Sequence, residues 1–113
     1  MGGTVTTLEN FKQSQELSQK TFSLLSELSS TNVEGQSAKG NVKVSYDGRQ
    51  VPISVEVNPE YIESLKTKVG GVEDLNEAIL IAMQKSHEKS KALMEEKMQS
   101  LYSDLGLPPT EKE

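Results

Sequence analysis

The longest stretch of this chain without proline or glycine runs from Val72 to Leu105, between a Gly70-Gly71 break and Gly106 followed by Pro108-Pro109. Val72, Leu75, Ile79, Ala82, Met83, Ser86, Ser90, Leu93, Met94, Lys97, Leu101 and Leu105 recur at steps of three and four, the period of one helix face. Glu73, Asp74 and Glu77 occupy its opening turns, where the helix dipole favours carboxylates, and Gly106 suits its end. A helix of this length spans roughly 50 Å at 1.5 Å per residue, against a radius of gyration near 13 Å for a compact domain of this size. The helix must therefore project from its domain or run along another subunit. Its apolar positions cluster at the two ends. The centre, Gln84 to Lys91, is polar, which predicts two contacts joined by a solvated rod.

The remainder of the 113 residues provides little else to build a core from. Hydrophobic residues make up 34% and aromatics 4%, below the usual apolar share of roughly 45–50%. One thin-cored domain over 1–113 is expected, with 1–6 and 107–113 as flexible ends and self-association as the means of burying more apolar surface. From Thr7 to Ser30 the composition reads as a second helix, capped by Thr6 or Thr7. Its seam of Leu8, Phe11, Leu17, Leu24, Leu25 and Leu28 is interrupted by Ser14 and Ser18. Val33-Glu34-Gly35 carries a weak strand signal. Val42, Val44 and Tyr46 alternate with Lys43 and Ser45, and Val51, Ile53, Val55 and Val57 alternate with Pro52, Ser54 and Glu56. Asp47-Gly48 between these runs predicts a type I′ hairpin turn, and Pro52, which cannot donate to a ladder, predicts either an edge strand or an unpaired site. One face of the sheet is apolar and calls for a helix to cover it. Asn58 as cap and Pro59 at the first position begin a short helical turn to Lys66. The expected class is α+β in the order α-β-β-β-α, with a short helical turn before the last helix.

Catalytic chemistry has little to stand on. There are no cysteines, His87 is the only histidine, and no glycine-rich phosphate loop or metal-ligand spacing occurs. No enzyme activity, cofactor or metal is expected. His87 lies in the polar middle of the long helix and reads as a solvated surface residue. The start of the chain lacks a basic segment followed by an apolar run, and no stretch approaches the roughly 20 apolar residues of a membrane span, so neither a secretory leader nor membrane insertion is expected.

The net charge is −5, and residues 93–113 carry two basic against five acidic side chains. This is not the balance of a generally basic nucleic-acid binder, so phosphate contact would have to come from local patches. Lys85 and Lys89 share a helix face at i, i+4, with Lys91 off to the side, and Lys12 and Lys20 lie on the first helix. Lys39, Lys43 and Arg49 surround the sheet. Aromatic residues for base stacking are not interleaved with these cations.

Several runs, taken in order, resemble the YbaB/EbfC family of nucleoid-associated proteins. They are Phe11-Lys12-Gln13-Ser14-Gln15, Val33-Glu34-Gly35, Gly40-Asn41-Val42-Lys43-Val44, Asp47-Gly48-Arg49, and Lys97-Met98 through Leu105-Gly106-Leu107-Pro108-Pro109. Gln50-Val51-Pro52-Ile53 and Ser86-His87-Glu88-Lys89-Ser90 are similar to its cyanobacterial and plastid branch. The resemblance implies an α-β-β-β-α homodimer shaped like tweezers, binding double-stranded DNA with little sequence preference and taking part in nucleoid organisation or gene expression. It implies a bacterial cytoplasm and nucleoid, or a plastid stroma, as the setting. On that reading Lys12, Lys20, Lys85, Lys89 and Lys91 neutralise phosphates rather than read bases. This chain departs from the family pattern in its glycine-poor Gln36-Ser37-Ala38-Lys39 link and its few cations on the first helix. The alternative is a protein-interaction adaptor, for example in thylakoid or membrane protein biogenesis, whose acidic tail suits a basic protein partner.

Overall fold

A computed structural model describes residues 3–106, with side chains from residue 10. The expected flexible tail 107–113 and the Pro108-Pro109 stop lie outside the described residues. The elements are α1 (Gly3–Ser29), β1 (Asn32–Ser37), a single tight turn (Ala38–Gly40), β2 (Val42–Asp47), β3 (Pro52–Val57), α2 (Pro59–Lys66) and α3 (Gly71–Asp104). The molecule measures 81 × 26 × 16 Å with a radius of gyration of 21.2 Å, far above that of a compact chain of this length. Helix α1 begins at Gly3, four residues before the expected Thr7. Asn58 Oδ1 accepts from Glu60 N at 3.0 Å and Pro59 opens α2, as its sequence predicts. Helix α3 ends at Asp104, with Gly106 at φ 70° just beyond it.

The three strands form one antiparallel sheet in the order β1-β2-β3, which places Pro52 on an edge strand. Gly35 pairs with Val44 and Val55 with Val44 from the other side. The register between β2 and β3 slips once, from Ser45↔Ser54 to Tyr46↔Pro52, leaving Ile53 as an extra residue in a bulge. The hairpin differs from the expected type I′ turn. Asp47 stands at the first position of the turn rather than at its centre: its Oδ1 accepts from Arg49 N at 2.7 Å and from Val51 N at 3.1 Å, and its carbonyl accepts from Gln50 N. The left-handed residue is Gln50 at φ 68°, not Gly48. Gly48 is required for a different reason. Its amide donates to Leu28 O at 2.8 Å, and a Cβ there would stand 2.8 Å from both that oxygen and Leu28 Cδ2. The hairpin therefore clasps the end of α1.

Two apolar clusters share α3. Val42, Val44 and Tyr46 are buried against Ala78 and Ala82, with Leu75, Ile79 and Met83 packed around them. Further along, Leu101 is buried against Leu24 and Leu28 of α1, with Leu93, Met94 and Met98 beside them. The apolar end of α3 thus finds its partner on the first helix of the same chain.

The stretch between the clusters is not a solvated rod. Ala78, Ala82, Ser86 and Ser90 form a line of small residues at i, i+4 spacing, all buried, and both serines are wholly removed from solvent. Against this line lies Gly35 of β1. A Cβ on Gly35 would sit 2.5 Å from Ser86 N and closer still to Ala82 O, so helix backbone rests directly on strand backbone. The buried hydroxyls are each bonded. Ser37 Oγ donates to Ala78 O, Ser86 Oγ to Val33 O at 3.3 Å, and Ser90 Oγ to Asp47 O at 2.6 Å while accepting from Gln50 N at 2.8 Å. Sequence pattern could not distinguish these serines from exposed ones, because a serine reads as polar whether or not a carbonyl waits for it.

Two changes test this packing. Gly35→Ala should cost about 2–3 kcal/mol by forcing α3 off β1, seen as a lower urea midpoint; an unchanged midpoint would refute the contact. Ser90→Ala should cost about 1 kcal/mol by removing both hydroxyl bonds and leaving Gln50 N–H only its longer bond to Asp47 O at 3.3 Å; an unchanged urea midpoint would exclude that role.

Candidate nucleic-acid interface

The five lysines expected to contact phosphate do not form one patch. Lys85 and Lys89 lie on the flank of α3 that overhangs β1. Lys85 Nζ donates to Gln36 O at 3.2 Å and Lys89 Nζ to Glu34 O at 2.7 Å, so each ammonium group gives one of its three N–H donors to a main-chain carbonyl of an edge strand. They remain solvent-exposed, which leaves their charge available at long range. Lys91 is exposed two residues beyond Lys89, about 200° further round the helix, and thus faces away from the pair. On α1, Lys12 is exposed and Lys20 is bonded to Glu16 at 3.2 Å, one turn earlier.

Other charges bear on the same surfaces. Lys97 Nζ lies 3.0 Å from Glu27, tying α3 to α1 beside a shallow groove that also includes Lys20 and Asp104. Lys39 sits exposed in the turn after β1, at φ 58° next to Ala38 at φ 51°, two consecutive left-handed residues without the freedom of glycine. Arg49 is held 3.6 Å from the buried carboxylate of Asp47. Sequence pattern passed over Lys97 because its partner lies 70 positions away on another helix. His87 is half-buried, its ring edge-on to Tyr46 at 5.6 Å between centroids, and not the solvated residue expected from its polar neighbours.

Away from these surfaces, Lys68 on the α2–α3 link bonds to Asp74. That hydrogen bond first, and the carboxylate's charge second, hold its pKa above the ordinary lysine value. A raised lysine pKa gives stability that is complete below the unfolded value and is lost only as pH rises through the folded one, so this link is indifferent to pH near neutrality. Among the described residues, no three His, Asp or Glu side chains gather as metal ligands, and no helix is long and apolar enough to cross a membrane. Among the described residues, the two long helices carry dispersed cations, and these do not converge on one site.

Since Glu16 neutralises Lys20, Glu16→Gln should strengthen duplex DNA binding roughly two- to fivefold at low salt, an advantage that added salt removes. A gel-shift titration measures it; an affinity that falls or stays fixed would exclude Lys20 from the contact.

Residues 4–105 match the model of the YbaB/EbfC DNA-binding family. A nucleoid-associated protein of Synechococcus elongatus is 35% identical over 98 residues, covering 87% of this chain and 81% of the relative. One from Prochlorococcus marinus is 37% identical over 99 residues, covering 88% and 80%. A third, from Nostoc punctiforme, is 35% identical over 98 residues, covering 87% and 80%. A crystal structure of an uncharacterized Helicobacter pylori protein shares the fold with a TM-score of 0.61 at 17% identity, covering 81% of this chain and 88% of that one. With the fold, the dispersed cations and these matches together, the chain belongs to the YbaB/EbfC DNA-binding family.

Proposed function

We propose that this chain is a nucleoid-associated protein that works as a tweezer-like homodimer, binds double-stranded DNA through phosphate contacts with little sequence preference, and thereby shapes nucleoid organisation and gene expression. Family membership across residues 4–105 is the observation that carries the DNA-binding part. The names of the cyanobacterial relatives support a place on the nucleoid. Low sequence preference is inferred from the cations: lysines on long helices reach phosphates, which carry no sequence information.

The dimer rests on an uncovered sheet edge. Helix α3 covers β1 and β2, while Val51, Ile53 and Val55 on and beside β3 stay 44%, 52% and 52% exposed. A row of β-branched residues on an open edge strand is a template for pairing with another chain. The other edge of the sheet is closed to such pairing by Lys85 and Lys89 on the β1 carbonyls. Two copies joined through β3 would bury these side chains and carry their helices outward as two arms.

Two experiments follow. Ile53→Asp should halve the mass seen by light scattering at micromolar concentration; a wild-type chain that is already monomeric there would sink the dimer. For DNA, a titration at two salt concentrations should show affinity falling steeply with salt. Replacing Lys12 and Lys91 together by Ala should lower the slope of log affinity against log salt by about 2 per contacting protomer. Binding insensitive to salt, or absent at low salt, would overturn the phosphate reading. If binding fails while partners survive nuclease treatment in a pull-down, the adaptor reading replaces it.

A further inference from the structure

Helix α1 has a second face that the fold leaves unused. Its buried seam consists of Leu24 and Leu28 toward α3, with half-buried Leu17 in line with them. About 100° round the helix lie Phe11, Ser14, Ser18, Phe22 and Leu25. Phe22 is 73% exposed, Phe11 59% and Leu25 38%, and two exposed phenylalanines on one helix are unusual in a chain with only two phenylalanines in all. The described charges of this helix, Lys12, Glu16, Lys20 and Glu27, all fall on the opposite half.

The order of residues along this face is symmetric. Reversing the helix about Ser18 brings Phe11 to the level of Leu25 and Phe22 to the level of Ser14. Each bulky side chain then meets either another apolar chain or the gap above a serine, and the small Ser18 lies on the axis, where the two backbones approach most closely. Steps of three, four, four and three suit a nearly straight helix pair. A surface complementary to its own reverse is what a two-fold contact requires. A face without charge presents nothing to repel its copy.

The geometry points to an antiparallel pairing of α1 with α1 of a second copy of this chain, with the two-fold axis through Ser18. This contact uses neither β3 nor the lysines, and it stands whether or not the β3 dimer does. Three large apolar side chains per copy, Phe11, Phe22 and Leu25, carry the contact, so the pairing is weak and depends on concentration. Where both contacts operate, each β3 dimer carries two further docking faces, and dimers can join into chains that bring separate DNA segments together.

The chain has no cysteine, so single cysteines report the contact directly. Ser18→Cys should form an intermolecular disulfide under mild oxidation roughly tenfold faster than Glu16→Cys, whose side chain leaves from the opposite half of the same helix; proximity on the axis gives the difference. Adding Phe22→Glu to the Ser18→Cys chain should abolish the advantage, and circular dichroism should show the helix intact because Phe22 is exposed in the single chain. Repeating the oxidation in an Ile53→Asp chain separates the two contacts: a fast Ser18→Cys disulfide there supports the α1 pairing even if the β3 reading fails. Equal oxidation rates for Ser18→Cys and Glu16→Cys, or an advantage that survives Phe22→Glu, overturns the proposal, including the case in which a lipid surface or another protein occupies the face.

Discussion

Everything in this molecule depends on how closely α3 lies on β1. Contact between a helix and a sheet normally leaves a layer of side chains between the two backbones. Here Gly35 contributes no side chain, and the helix meets it with the line of Ala78, Ala82, Ser86 and Ser90, so at β1 that layer is nearly absent. Closeness makes the serines serviceable. At this separation their hydroxyls reach strand and turn carbonyls, and the polar middle of the helix can be buried without an unsatisfied group. A chain poor in large apolar residues thus obtains a long contact from small ones. It gives up hydrophobic area per residue, and gains a contact that extends along the helix instead of ending where the leucines end.

The same closeness gives the sheet two unlike edges. Because α3 overhangs β1, Lys85 and Lys89 can bend to its carbonyls, and that edge no longer offers a free row of acceptors. Strand β3 lies outside the reach of α3 and keeps both its free edge and its exposed valines and isoleucine. The proposed dimer therefore has one side of the sheet open to it. The ammonium groups of Lys85 and Lys89 each keep two further N–H donors and their full charge, so the bonds to β1 fix where the two lysines stand without using them up.

The order of elements, the edge position of Pro52, the Asn58-Pro59 start of α2 and the length of α3 were all legible in the sequence, because each depends on local chemistry or on a period. What could not be read depends on contacts between distant segments. Gly48 looks like half of an Asp-Gly turn, but its function is to let Leu28 approach. Ser86 and Ser90 look like solvent-facing spacers until β1 and the hairpin are placed against them. His87 looks exposed until Tyr46 is beneath it. The lysines were the least legible part: i, i+4 spacing put Lys85 and Lys89 on one flank correctly, but their acceptors on β1 belong to a strand about 50 residues earlier, and no period shows that.

Elongation is the remaining consequence. Leu28 joins α1 to the hairpin through the carbonyl that accepts from Gly48, and Leu101 joins α3 to α1 beyond it, so the two helices leave the sheet as one braced arm. An arm with few cations binds DNA weakly by itself, since each phosphate contact is worth little at physiological salt. Joining arms changes the arithmetic. In the proposed dimer, once one arm is engaged, the second would bind at an effective concentration set by the rigid body between them, and weak contacts would multiply without any increase in charge. Rigidity is what makes that multiplication possible, and it comes from a strand and a helix near enough to share backbone contact. An acidic chain can in this way bind an anionic polymer by geometry where its net charge argues against it.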